Sequence, residues 1–194
     1  IGSVFFLVAF FSWIIVLPEF IQETWGWSVL QSGFAIAPGP IVSTVLSVTN
    51  GRLADRIGPQ RILVVGGIAG VGGLLLHFGY TGSTPSFFMG LLLPNLVMGV
   101  AAGCSFAMLV GASMSEIPSQ RFGMAGAGRT TVFQLSIAIG AGLAITLVGD
   151  PDGGSTALEA MRRVWMVGVL CFFVQAMLFC FVYPRDSKRA AAIS

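Results

Sequence analysis

The chain has 194 residues and a formal net charge of +2; hydrophobic residues make up 55% of it and charged residues 9%. Soluble domains carry about 25% charged residues, so water cannot solvate the outside of this chain and an ordinary soluble globule is excluded. The small charge leaves no footprint for nucleic acid. Cys104, Cys171 and Cys180 lie in apolar runs without metal-type spacing.

A helix that crosses a bilayer takes about 20 apolar residues. The first such run covers about 4–21 and the second about 32–49. The third covers 62–80, the fourth 87–110, the fifth 124–148 and the sixth 164–183. The runs are long and continuous, with no period-2 alternation, so they predict helices rather than barrel strands. The expected fold is therefore all-α: a six-helix transmembrane bundle over 1–184 and a cytoplasmic tail over 185–194. No basic stretch precedes the first run and no small-residue cleavage site follows it, which argues against a signal peptide. With no starting Met, the chain is expected to be a piece of something longer.

Short polar connections separate the runs. After the first comes Glu23 to Gln31, where Trp25 and Trp27 suit the headgroup level. After the second comes Gly51 to Arg61, and after the fifth the loop-like stretch around Asp150 and Asp152. Crossings alternate sides, so Arg52, Arg56, Arg61, Arg121, Arg129, Arg185, Lys188 and Arg189 share one side, and only Arg162 and Arg163 lie on the other. The basic side is expected to be cytoplasmic, with both chain ends on it. Gly66, Gly70 and Gly73, then Gly99 and Gly103, then Gly140 with Ala144, form small-residue faces for close helix approach.

The turn after the second run carries the strongest motif: Gly51, Leu53, Asp55, Gly58 and Arg61 in the order Gly-x-Leu-x-Asp-x-x-Gly-x-x-Arg. Asp55 is placed to accept hydrogen bonds from a helix N-terminus, and Gly58 permits a turn barred to other residues. A plain basic loop that sets topology is the competing reading. This stretch resembles the signature loop of the major facilitator superfamily. Leu17-Pro18 with Gln22, Trp25-Gly26-Trp27-Ser28, Pro38-Gly39, Arg121 through Gly126, and Arg129-Thr130 with Gln134 follow in an order similar to that of the fourteen-helix drug:proton antiporters.

The resemblance implies the C-terminal six-helix half of such a transporter, built from two inverted three-helix repeats. It implies proton-coupled efflux of amphipathic compounds by alternating access, with protons, a small-molecule substrate, the lipid bilayer and the missing N-terminal half as partners, in the inner (plasma) membrane. Gly51, Arg52, Asp55, Arg56, Gly58 and Arg61 would form the conformational latch. The family's template puts Gln22, Ser43, Thr44, Asn95, Thr131 and Gln134 near the substrate path. Hydroxyls in membrane helices more often bond the carbonyl one turn back, and Asn95 and Gln134 serve equally as clasps between helices. Glu19, near the outer end of the first run, would exchange protons if buried; a solvated position fits it too. Other cargo (a sugar, acid or peptide) and a non-transporting sensor or assembly module remain alternatives. No enzyme, cofactor or metal is expected, since the runs hold no nucleophile–base pair and no ligand cluster.

Overall fold

The structure is a computed structural model that describes residues 2–112, 122–149 and 157–181. Every element in it is helical. They are α1 (Gly2–Trp25), α2 (Val29–Ile36), α3 (Pro38–Ile57), α4 (Pro59–Tyr80), a π-helical turn (Phe87–Leu92), α5 (Leu93–Ala112), α6 (Phe122–Val148) and α7 (Ala157–Phe181). Six helical stretches are long and apolar enough to cross a membrane, with α2 and α3 together making the second and the π-turn with α5 the fourth. The tail 185–194, Asp150, Asp152, Arg121, Arg185, Lys188 and Arg189 lie outside the described residues.

The helices outrun the apolar stretches. Helix α3 continues past Asn50 through the charge-bearing stretch that ends at Ile57, and α4 starts at Pro59. The connection expected over Gly51 to Arg61 is therefore a one-residue turn at Gly58, whose φ of 88° only glycine adopts without strain. Hydropathy marks the part of a helix that lipid covers, whereas backbone bonding runs on into water. Pro59 fits because the first helical residue has no use for its N–H. The second span is broken at Ala37 rather than continuous. Ser28 caps α2 in a reciprocal box with Gln31, and Pro38 and Pro40 interrupt the ladder that would join α2 to α3.

Helix α1 packs on α6 and α7, α5 packs on α3 and α4, and α4 packs on α7. Exchanging the first span with the fourth, the second with the fifth and the third with the sixth leaves this set of pairings unchanged, as two three-helix repeats require. Phe6, Leu17, Leu74, Met98, Trp165 and Phe172 form the main core. A smaller cluster of Ile62, Leu63, Cys104 and Met108 lies toward the Gly58 end. Lipid is as apolar as these side chains, so close packing and polar clasps hold the helices together.

Both are visible. A methyl built on Gly66, Gly70, Gly73, Gly99, Gly103 or Gly140 would come within 3 Å of a neighbouring helix, and Ala144 is fully buried. Asn50 Nδ2 donates from α3 to the Gly103 carbonyl of α5 at 3.3 Å. Gln175 Nε2 on α7 donates to Ser105 Oγ on α5 at 3.3 Å, the clasp expected of a buried amide. Gln60 Nε2, just past the Gly58 turn, donates to the Phe179 carbonyl at 2.8 Å and the Cys180 carbonyl at 3.3 Å. Those carbonyls belong to the last described turn of α7, so Gln60 ties the start of α4 to it. Gln60→Leu is expected to cost about 1 kcal/mol and to lower the thermal unfolding midpoint of the detergent-solubilised protein; an unchanged midpoint would assign that tie no energetic weight.

Candidate functional site

Prolines shape the third of the bundle opposite the Gly58 turn, the end marked by α2, the π-turn and the turn around Thr81. Pro18 sits inside α1. Pro40 has no N–H for the Ile36 carbonyl one turn back, and Pro94 has none for the Gly90 carbonyl. A polar side chain from another segment serves each carbonyl. Asn95 Nδ2 donates to the Ile36 carbonyl at 2.9 Å, and Thr81 Oγ1 donates to the Gly90 carbonyl at 2.5 Å. Trp25, at the end of α1, is buried against the bundle, and its indole N–H donates to the Gly82 carbonyl at 2.9 Å.

Directly inside these breaks lies a cavity of about 200 Å³ between α1, α3 and α5. Phe10, Trp13, Met98 and Phe106 give it aromatic and apolar walls, with Ser43 and Thr44 as its hydroxyls. No charged side chain lines it among the described residues. Gly39 and Gly99 form part of the wall because α3 and α5 nearly touch there: a methyl on Gly99 would stand 2.5 Å from the Gly39 carbonyl oxygen. The cavity thus exists where backbones, not side chains, set the helix spacing.

The structure brings together three of the six path candidates. Ser43, Thr44 and Asn95 all border the cavity. Thr44 gives its proton to the Pro40 carbonyl at 2.9 Å, leaving its oxygen as an acceptor. Asn95 is fully buried, and its amide works as the clasp on Ile36, with Oδ1 unpartnered. The other three lie elsewhere. Gln22 bonds the Pro18 carbonyl within α1 at 3.1 Å. Thr131 bonds the Ala127 carbonyl at 3.1 Å and, with Gln134, sits on the exposed face of α6. Glu19 is exposed and outside the cavity. Phe10, Trp13 and Phe106 were missed; a spacing of three between Phe10 and Trp13 on one helix face was the available signal. The turn residues Arg52, Asp55, Arg56 and Arg61 are all exposed, as is Gly51.

The second and fifth spans are the least covered of the six, with 17% of each apolar window buried. Comparison with known proteins accounts for such a bundle. The sequence model of the Major Facilitator Superfamily matches residues 1–194. The chain belongs to the major facilitator superfamily. It is a multi-pass membrane protein with the six-helix half of that fold. Among relatives of this superfamily member, the probable multidrug resistance protein EmrY of Escherichia coli is 31% identical over 141 residues, 70% of this chain and 26% of the relative. The multidrug export protein EmrB of the same species is 28% identical over 138 residues, 71% of this chain and 26% of the relative. The low affinity ammonium transporter of Saccharomyces cerevisiae is 26% identical over 188 residues, 91% of this chain and 35% of the relative. The chain thus spans about a quarter to a third of the relatives it matches. No solved structure matches it.

Proposed function

We propose that this superfamily member is the C-terminal half of a proton-coupled exporter of amphipathic, drug-like compounds, working by alternating access in the plasma membrane with both ends cytoplasmic. The observation that carries the reading is the uncharged, aromatic cavity between α1, α3 and α5. Such walls suit apolar and aromatic groups, and two hydroxyls supply adaptable hydrogen bonds. The sparsely covered α3 and α6 supply faces for the N-terminal half. The names of the two Escherichia coli relatives point the same way. Exposed Asp55 is free to meet a helix end of the other half, the latch role of the signature turn, with Arg52, Arg56 and Arg61 beside it and Gly51 and Gly58 allowing the approach. Glu19 is exposed, the solvated position, so the burial on which a proton-exchanging role depended is not met in this half.

The test is ethidium flux in everted vesicles that contain the full-length transporter, driven by an imposed proton gradient. Gradient-dependent accumulation is expected; none would end the export reading. Asp55→Asn should lower the initial rate about 5- to 150-fold, the usual span of a coupling between two conformations, with the protein still present in the membrane. A rate equal to the parent's would remove Asp55 from the latch. The yeast relative, matching 91% of the chain, favours a second reading with a small cation as cargo; methylammonium flux without ethidium flux would support it.

A further inference from the structure

The proton on Thr81 has a definite place. A threonine hydroxyl has one hydrogen to give, and Thr81 gives it to the Gly90 carbonyl at 2.5 Å. His77 Nδ1 stands 3.1 Å from the same oxygen. With its hydrogen committed to Gly90, Oγ1 can only accept, so Nδ1 carries the imidazole proton and donates. His77 is fully buried and cannot swing away. Its ring stacks on Trp165 at 5.3 Å between centroids, with 26° between planes, and lies 5.8 Å from Trp13. The aromatic pair fixes the ring, the ring fixes the hydroxyl, and the hydroxyl bonds the Gly90 carbonyl, which Pro94 has no N–H to serve.

That carbonyl lies in a π-turn, where the helix is already loosened by one residue. Directly past Pro94 come the cavity residues Asn95, Met98, Gly99 and Ala102. On the other side Phe87 meets Trp27 at 6.4 Å, and Trp27 meets Trp25 at 5.3 Å, which links the turn to the end of α1. A proline beside a π-turn in a helix is a joint, since neither contributes a regular ladder bond. The Thr81 hydroxyl spans that joint from outside the helix.

We propose that Thr81, held in one orientation by His77, braces a joint at the start of α5, and that the brace sets access to the cavity beyond Pro94. Thr81 and His77 touch no substrate; they are positioning residues. The inference rests on the cavity being accessible from one face of the membrane in the working transporter. It does not need the cargo to be a drug.

The test uses the full-length transporter with its native cysteines replaced and Ser43→Cys as the only thiol, in sealed vesicles, labelled with a membrane-impermeant maleimide. No substrate or gradient is present, so the result stands apart from the export assay. Thr81→Val removes the donor and should change the labelling rate about 2- to 10-fold, the worth of one net hydrogen bond. Thr81→Ser keeps the donor and should stay within about twofold of the parent by the same measure. Equal rates for the valine and serine variants would overturn the proposal. His77→Asn places an amide N–H near Nδ1 and should behave as the parent. His77→Gln places it near Nε2 and should behave as the valine variant. If Thr81→Val does not accumulate in the membrane, the two histidine variants decide, and equal rates there sink the brace.

Discussion

Alanine at Gly99 is expected to destabilise the bundle by about 1–3 kcal/mol, the range for forcing volume into a packed interior. The reason is local. The new methyl would stand 2.5 Å from the carbonyl oxygen of Gly39 and 3.1 Å from its Cα. Both are backbone atoms, so no side chain can rotate away, and α3 and α5 must separate. Separation also pulls Asn95 on α5 from the Ile36 carbonyl, now 2.9 Å away, and Asn50 from the Gly103 carbonyl. A lower midpoint for thermal unfolding in detergent, with loss of ethidium flux, is the expected pair of results. Retention of the parental midpoint would mean that the α3–α5 contact is looser than the geometry describes. Alanine at Gly126, with open space around it, serves as the control.

Phe172→Ala should cost more, about 3–5 kcal/mol by analogy with large aromatic deletions in packed cores. Phe172 is fully buried between α1 and α4, its ring 6.0 Å from that of Phe6. The ring also fills the space over Gly70, where a methyl would meet it at 2.5 Å. Gly70→Ala is therefore damaging alone, because ring and methyl claim one volume. In the double variant the methyl enters the hole left by the ring. The double variant is expected to be less destabilised than the sum of the singles, by about 1 kcal/mol, as for residues in direct contact. Additive effects in thermal or denaturant unfolding would show that the two positions do not share that space.

Much of the fold was legible because lipid imposes one demand on every spanning segment. Six apolar runs became six spans, and the glycines spaced by three and four became the tight helix contacts. The signature turn was recognisable from residue order alone. Hydropathy could not show where helices stop. The stretch from Asn50 to Ile57, with Arg52, Asp55 and Arg56 in it, is charged yet helical, since its carbonyls and amides bond along α3 whatever surrounds them. The break at Ala37 was signalled by Pro38 and Pro40, but an average over 18 or more residues passes over two prolines.

The site was legible in part, for a different reason. Ser43, Thr44 and Asn95 were singled out because polar groups in lipid need partners, and they border one cavity. Which partner each would find was not readable. Asn95 reaches a carbonyl 59 positions away and Gln60 one 119 positions away, and neither separation leaves a local pattern. One rule would have found two of the carbonyls: Pro40 and Pro94 each stand four residues after a carbonyl they cannot serve, so a donor had to come from elsewhere.

The turn at Gly58 has a mechanical consequence. With one residue between α3 and α4, and Gln60 holding carbonyls in the last described turn of α7, three helix ends are yoked at one corner. Helix α3 has 20 residues and is about 30 Å long at 1.5 Å per residue, so a tilt of about 10° about that corner sweeps its far end through about 5 Å. That is a full helical pitch, delivered at the level of Pro38 and the cavity wall. A small displacement on the arginine-bearing face would thus be magnified where the cavity lies, with Gly58 as the fulcrum.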